Sequence, residues 1–159
     1  MKENEYNKYT IKTLNAKETV AEGEKLGKQL LTGDVLCVYG ELGVGKTAFT
    51  TGIAKGLGVL DNDYITSPTF TVVNEYEGKI PFFHFDVYRV NDPDELFEIG
   101  FFEYFSRGGV ICIEWADLIE DLLPKERIDI SICKIFEEGK EDEREITIIR
   151  RENSENTRN

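Results

Sequence analysis

The run Gly40-Glu41-Leu42-Gly43-Val44-Gly45-Lys46-Thr47 fulfils the spacing G-x-x-x-x-G-K-[ST]. Glycines without a Cβ let backbone N–H groups converge on phosphate oxygens and form an anion-binding nest. The helix that opens near Gly45 aims the positive end of its dipole at the same charge. Lys46 is then placed to reach β- and γ-phosphates, and the Thr47 hydroxyl to ligate Mg²⁺. The expected contact set is Glu41, Leu42, Gly43, Val44, Gly45, Lys46, Thr47 and Ala48, with ATP and Mg²⁺ as the ligands.

A site of this type needs a further metal ligand, an acid at the C-terminal end of a neighbouring strand. Two residues qualify: Asp86 closes Phe82-Phe83-His84-Phe85, and Glu114 closes Val110-Ile111-Cys112-Ile113. With a period of two, His84, Asp86 and Tyr88 share one strand face, as do Cys112 and Glu114. One acid on Mg²⁺ with the other orienting water is an alternative to a single functional carboxylate. The sequence leaves the roles open.

Three further features lie close in the chain. Ile65-Thr66-Ser67-Pro68-Thr69 falls roughly twenty residues past Lys46, where its hydroxyls would sense a γ-phosphate or simply make a turn. His84 reads as a hydrogen-bonded structural histidine rather than a base. Trp115, beside Glu114, belongs either to the core or to the nucleotide site. No [NT]-K-x-D guanine motif occurs; Gly139-Lys140-Glu141-Asp142 lacks its first residue, so ATP is favoured over GTP. A small-molecule kinase would close an arginine-bearing lid. Arg89, Arg107 and the tail pair Arg150-Arg151 make a thin case for one. A nucleotide-dependent regulatory module that barely hydrolyses is the third reading.

The elements that must position these groups follow from pattern. A strand over Tyr9 to Thr13 precedes Asn15-Ala16-Lys17-Glu18, a capping-box pattern. The helix it opens puts Val20, Gly23, Gly27, Leu30 and Leu31 on one face and ends at Gly33. Asp34 to Tyr39 is an apolar strand feeding the glycine loop. Thr47 to Leu57 is a helix whose Phe49, Ile53 and Leu57 face a core, stopped by Gly58. Thr69 to Glu77 and Phe82 to Tyr88 read as a hairpin around Gly78-Lys79. Asp92-Pro93-Asp94-Glu95 starts a helix that breaks at Gly100 and resumes over Phe101 to Phe105. After Val110 to Ile113 comes a short helix ending near Pro124. Strands Ile128 to Phe136 and Glu145 to Arg150 then flank a turn at Gly139. Strands alternating with helices predict an α/β fold: a mainly parallel central sheet with antiparallel edges, flanked by helices. The 159 residues suit one domain over 1–151, with 152–159 a polar, disordered tail.

Composition bounds the rest. Hydrophobic residues make up 40% and charged residues 31%, as in ordinary globular proteins. No apolar run approaches the ~18 residues of a membrane helix, and the polar N-terminus does not read as a signal peptide, so the expected location is cytoplasmic. Cys37, Cys112 and Cys133 each sit in an apolar β-like run and are expected as buried thiols. A net charge of −12 repels nucleic-acid backbones, so any nucleic-acid role would run through a protein partner; solubility alone is the other account of the acidity.

Taken together, the glycine loop at 40–47, Ser-Pro-Thr-Phe-Thr at 67–71, His-Phe-Asp-Val-Tyr-Arg at 84–89, Asp-Pro-Asp-Glu-Leu at 92–96 and Glu-Trp at 114–115 resemble the TsaE (YjeE) family. Order and spacing match from about Tyr9 to Arg150. The resemblance implies a bacterial P-loop ATPase, weak alone, required for threonylcarbamoylation of tRNA adenosine-37. It implies action on a complex of TsaD and TsaB, which hydrolysis would reset between turnovers, with tRNA met only through that complex. Carried over to these positions, it implies Thr47 and Glu114 as Mg²⁺ ligands and Asp86 as a catalytic or metal-proximal acid. Lys46 would hold phosphate, Ser67 and Thr69 would form a switch-like loop, and Trp115 would lie near the nucleotide. Thr13 or Leu14 would approach adenine. Val44 stands where alanine is commoner, a change the loop tolerates.

Overall fold

A computed structural model describes residues 6–41, 43–60, 65–66 and 68–152. Seven strands, β1 (Tyr6–Thr13), β2 (Val35–Tyr39), β3 (Val73–Tyr76), β4 (Phe82–Asp86), β5 (Val110–Glu114), β6 (Arg127–Lys134) and β7 (Arg144–Arg151), form one sheet. Their order is β1-β7-β6-β2-β5-β4-β3. The centre, β6-β2-β5-β4, is parallel, whereas β3 on one edge and β7 and β1 on the other pair antiparallel. The α/β architecture expected from the pattern is therefore the one observed.

Period-two alternation in the central strands assigns residues to two apolar layers. On one face Leu36, Val38, Phe82, Cys112, Ile128 and Ile130 meet helix α1 (Ala16–Gln29) and helix α2 (Lys46–Gly56). On the other, Val35, Cys37, Phe83, Phe85, Ile111 and Ile113 meet Leu96, Phe101, Tyr104 and Ala116. Those four come from helix α3 (Pro93–Glu98) and the 3₁₀ segments Phe101–Ser106 and Ala116–Leu122. Phe49 and Ile53 of α2 are fully buried, each contributing about 1.5–3 kcal/mol by transfer from water.

The caps behave as their residue types require. Asn15 accepts from the Glu18 N–H at 2.9 Å, and Glu18 reaches back to the Leu14 N–H at 2.8 Å. Asp92 accepts from Asp94 N–H at 2.9 Å, with Pro93 opening α3. Helix α1 lies directly on α2 because both carry glycine at the crossing. A Cβ on Gly52 would sit 2.0 Å from the Val20 carbonyl oxygen, a contact no side chain survives. The position of α2 is thus set by backbone-to-backbone approach.

Several expectations need correction. Helix α1 ends at Gln29 rather than running to Gly33, because Leu30 is extended and Asp34 accepts from the Leu31 N–H at 2.8 Å. Leu31 is consequently 70% exposed instead of joining the core face. The strand expected from Thr69 begins only at Val73, since residues 69–72 turn and Val72 has φ 72°. Cys133 is exposed, unlike Cys37 and Cys112, because β6 turns Ile128, Ile130 and Ile132 inward and Cys133 to the opposite face. Burial raises the Cys37 thiol to about 12. The expected disordered tail lies, from residue 153, outside the described residues.

Candidate active site

The glycine loop leaves β2 at the C-terminal edge of the parallel strands and enters α2 at Lys46. Gly40 has φ 153°, and a Cβ there would stand 2.8 Å from both the Ile132 carbonyl oxygen and Val44 Cγ1. Gly45 caps α2 in the left-handed region, φ 110° and ψ 16°, so the chain reverses into the helix at a point that disfavours any side chain. The loop is also clamped from outside. Arg144, at the start of β7, donates from Nε to the Val44 carbonyl at 2.7 Å and from Nη1 to the carbonyls of Glu141 and Glu143. Nothing local in the sequence marks Arg144, which lies a hundred residues from Val44.

Lys46 is 7% exposed. Its ammonium donates to the Gly40 carbonyl and, at 3.1 Å, to the Glu41 carbonyl. It also lies 4.1 Å from the centroid of the Trp115 ring. Burial pulls the Lys46 pKa below the ordinary lysine range, while the charges of Glu114, Asp86, Asp117 and Glu41 act in the opposite direction. A buried ammonium held by carbonyl dipoles and one indole face is well suited to exchange them for an anion.

Both candidate acids stand at this edge. Asp86 and Glu114 pair directly across β4 and β5, and each is 2% exposed. Alternation points them to the same sheet face as Phe82 and Cys112, the face on which α2 lies. Glu114 is joined to fully buried His84, whose Nε2 lies 2.5 Å from Oε2. His84 Nδ1 has no partner among the described residues. A proton on Nε2 donates to the Glu114 carboxylate and leaves Nδ1 a bare acceptor; the other tautomer would bury an unpaired N–H and face two acceptors together. His84 is thus the hydrogen-bonded residue expected, here tied to a site acid. Asp86 accepts from Thr69 Oγ1 at 3.1 Å and from the Tyr88 N–H at 2.9 Å. Trp115, at φ 63° and ψ 32°, holds a left-handed conformation and packs on Tyr88 with ring centroids 4.7 Å apart.

A cavity of about 550 Å³ joins these groups: Gly43, Gly45, Lys46, Thr47, Thr69, Asp86, Tyr88, Arg89, Glu114 and Trp115 line it. Glu41, Val44 and Ala48 belong to the loop and first helical turn without lining the cavity. Thr13 stands elsewhere, with its buried hydroxyl 2.7 Å from that of Thr19, although its strand partner is Arg144, the clamp of the loop. Leu42 and Ser67 lie outside the described residues. Tyr88 and Arg89 also line the cavity, a role the sequence marks only through their place after Asp86 in the same run.

The donor set fits Mg²⁺, a hard ion held by one or two carboxylates and completed by water and phosphate oxygens. Thr47, Asp86 and Glu114 offer only oxygen, and among the described residues no group of three or more His, Cys, Asp or Glu is placed to hold a metal alone.

Comparison with known proteins decides the family. The family model for "Threonylcarbamoyl adenosine biosynthesis protein TsaE" matches residues 13–146. The chain belongs to the TsaE family. A Bacillus subtilis (strain 168) protein named tRNA threonylcarbamoyladenosine biosynthesis protein TsaE is 44% identical over 137 residues, covering 86% of this chain and 82% of that one. A Treponema pallidum (strain Nichols) protein of the same name is 37% identical, over 84% of this chain and 95% of that one. Among solved structures, the crystal structure of Bacillus subtilis YdiB superposes with a TM-score of 0.76 at 38% identity, covering 96% of this chain and 91% of that one. The TsaE family resemblance carried by the motifs thus extends over the whole P-loop fold. No helix among the described residues is long and apolar enough to cross a membrane.

Proposed function

We propose that this TsaE-family chain is a Mg²⁺-dependent ATPase required for threonylcarbamoylation of tRNA adenosine-37, acting on and resetting a TsaD–TsaB complex. The observation that carries the proposal is the convergence of Lys46, Thr47, Asp86 and Glu114 on one cavity beside a glycine nest at a helix N-terminus. Residues 1–151 act as the ATP-binding unit, in the cytoplasm, with tRNA engaged only through the complex.

The residues divide the work as follows. Backbone N–H groups of Gly43 to Thr47 and the Lys46 ammonium bind the phosphates, exchanging the loop carbonyls for an anion. Thr47 and Glu114 would hold Mg²⁺, which when bound would neutralise phosphate charge. Asp86, steadied by Thr69 and the Tyr88 N–H, would accept a proton from, or orient, an attacking water. Trp115 closes one side against solvent. Of Thr13 and Leu14, the exposed Leu14 is proposed to approach adenine, with Thr13 buried behind it, and Ser67 to work with Thr69 in sensing the γ-phosphate. The acidic chain, at net charge −12, favours docking on a basic partner face over direct tRNA contact.

The test is Mg²⁺-dependent ATP hydrolysis by the purified protein, alone and with its cognate TsaD–TsaB pair, beside Lys46→Ala. Slow turnover that rises with the pair and is lost in the variant is the expected result. Turnover in Lys46→Ala equal to wild type, or phosphate transfer to a soluble acceptor without the pair, would sink the proposal.

A further inference from the structure

The lining of the cavity contains two cations, Lys46 on the β2 side and Arg89 on the β4 side, with β5 between those strands. Lys46 belongs to the glycine loop and needs no further account. Arg89 does, because its surroundings are unusual in a chain with 31 acidic and 19 basic residues. It forms no ion pair with any described residue, and its guanidinium instead rests 4.3 Å from the centroid of the Phe70 ring. Phe70 is 82% exposed and sits on the 69–72 turn, two residues before strained Val72. A cation on an exposed aromatic face is weakly held. A planar guanidinium bridging phosphate oxygens through charge-assisted hydrogen bonds is held more strongly.

We propose that Arg89 distinguishes a nucleoside triphosphate from a diphosphate, leaving the Phe70 ring to take the terminal phosphate. The inference rests on the nucleotide reading given above and deepens it. The loop nest and Lys46 serve the phosphates that both nucleotides share, whereas Arg89 approaches from the far side of β5, next to Asp86. Phe70 is the resting place for the side chain when that phosphate is missing. Departure of Arg89 takes the cation off one face of the already exposed Phe70 ring, on the turn that supplies Thr69 to Asp86, so the state of the nucleotide changes the charge at that surface.

Trp115 is the sole tryptophan and lines the cavity, so its fluorescence reports binding without hydrolysis. The experiment titrates Mg²⁺-ADP and the Mg²⁺ complex of the β,γ-imido analogue of ATP into wild type, Arg89→Ala, Arg89→Lys, Phe70→Ala and Lys46→Ala. Arg89→Ala is expected to weaken the triphosphate analogue about tenfold or more while ADP stays within about twofold, the loss of a charge-assisted bond to one phosphate. Arg89→Lys restores part of it. Phe70→Ala tightens the triphosphate about twofold, because the competing perch is gone. Equal losses for both nucleotides in Arg89→Ala, or none for the triphosphate, overturn the assignment. Weaker triphosphate binding in Phe70→Ala overturns the perch. If Lys46→Ala binds both nucleotides as wild type does, the nucleotide reading itself fails and Arg89 falls with it. A loss in Lys46→Ala without a selective one in Arg89→Ala removes only the Arg89 proposal. Thermal melting of each variant confirms that the fold is kept.

Discussion

Asp86 and Glu114 are neighbours in register, equally buried, and the same distance along their strands, yet they are held by different parts of the molecule. Glu114 is tied to His84, a side chain with no exposure that stacks on Phe82 inside the core. Asp86 is tied to Thr69 and to the Tyr88 N–H, both in connecting segments at the cavity mouth. One carboxylate is therefore positioned by a packed layer that resists displacement, the other by a turn that ends in the left-handed Val72. The difference suits a fixed metal ligand beside an acid whose placement responds to the loop. It also puts the Asp86 contact beside the Phe70 perch of the proposed phosphate sensor, since Thr69 and Phe70 are adjacent.

The largest effects should come from removing either carboxylate. Glu114→Gln and Asp86→Asn are each expected to cut ATP hydrolysis by about 10²–10⁴-fold. Their metal dependence should separate them. Glu114→Gln should raise the Mg²⁺ concentration for half-maximal turnover, and Asp86→Asn should lower the rate at saturating Mg²⁺. Identical metal titrations in the two variants would erase the proposed division.

His84→Phe keeps a ring in the core but deletes the donor to Glu114. We expect a loss of about 1.5–3 kcal/mol in chemical denaturation and weaker Mn²⁺ binding by electron paramagnetic resonance in the presence of ADP. His84→Gln, which keeps an N–H donor, should recover part of both. A phenylalanine variant with wild-type metal affinity would show that the core tie does not position Glu114.

The smallest effect is expected at the turn. Thr69→Val removes one hydrogen bond to Asp86, which costs about 1 kcal/mol or less, and hydrolysis should fall only a few-fold with no change in the Mg²⁺ titration. A metal shift as large as that of Glu114→Gln would place Thr69 with the metal rather than with Asp86.

Much of this site was legible because its signals are local. A glycine loop between an apolar strand and an amphipathic helix is specified by backbone sterics over eight residues, and Phe49, Ile53 and Leu57 face the core as their spacing demands. Asp86 and Glu114 both stand out in the sequence because each closes an apolar run. Elements failed where a residue's local preference was overruled at a distance or by a turn. Thr71 and Val72 are good strand formers, yet the strand waits until Val73 because Val72 N–H bonds back to the Pro68 carbonyl at 2.7 Å and closes a turn with Val72 at φ 72°. Leu31 continues an apolar helical pattern, but Asp34 captures its N–H and the chain leaves the helix first. Cys133 sits in an apolar-looking strand whose alternation turns it outward.

The α/β class, the glycine loop between strand and helix, the caps at Asn15 and Asp92, and the two strand-closing acids can be read from the chain alone, since each depends on interactions among residues close in the chain. That Asp86 stands opposite Glu114, that His84 reaches Glu114 rather than another partner, that Arg144 clamps Val44, and that Arg89 rests on Phe70 are products of the folded arrangement. Those outcomes depend on strand order and register. Register is selected by burying whole strand faces, and no short window of sequence contains that choice.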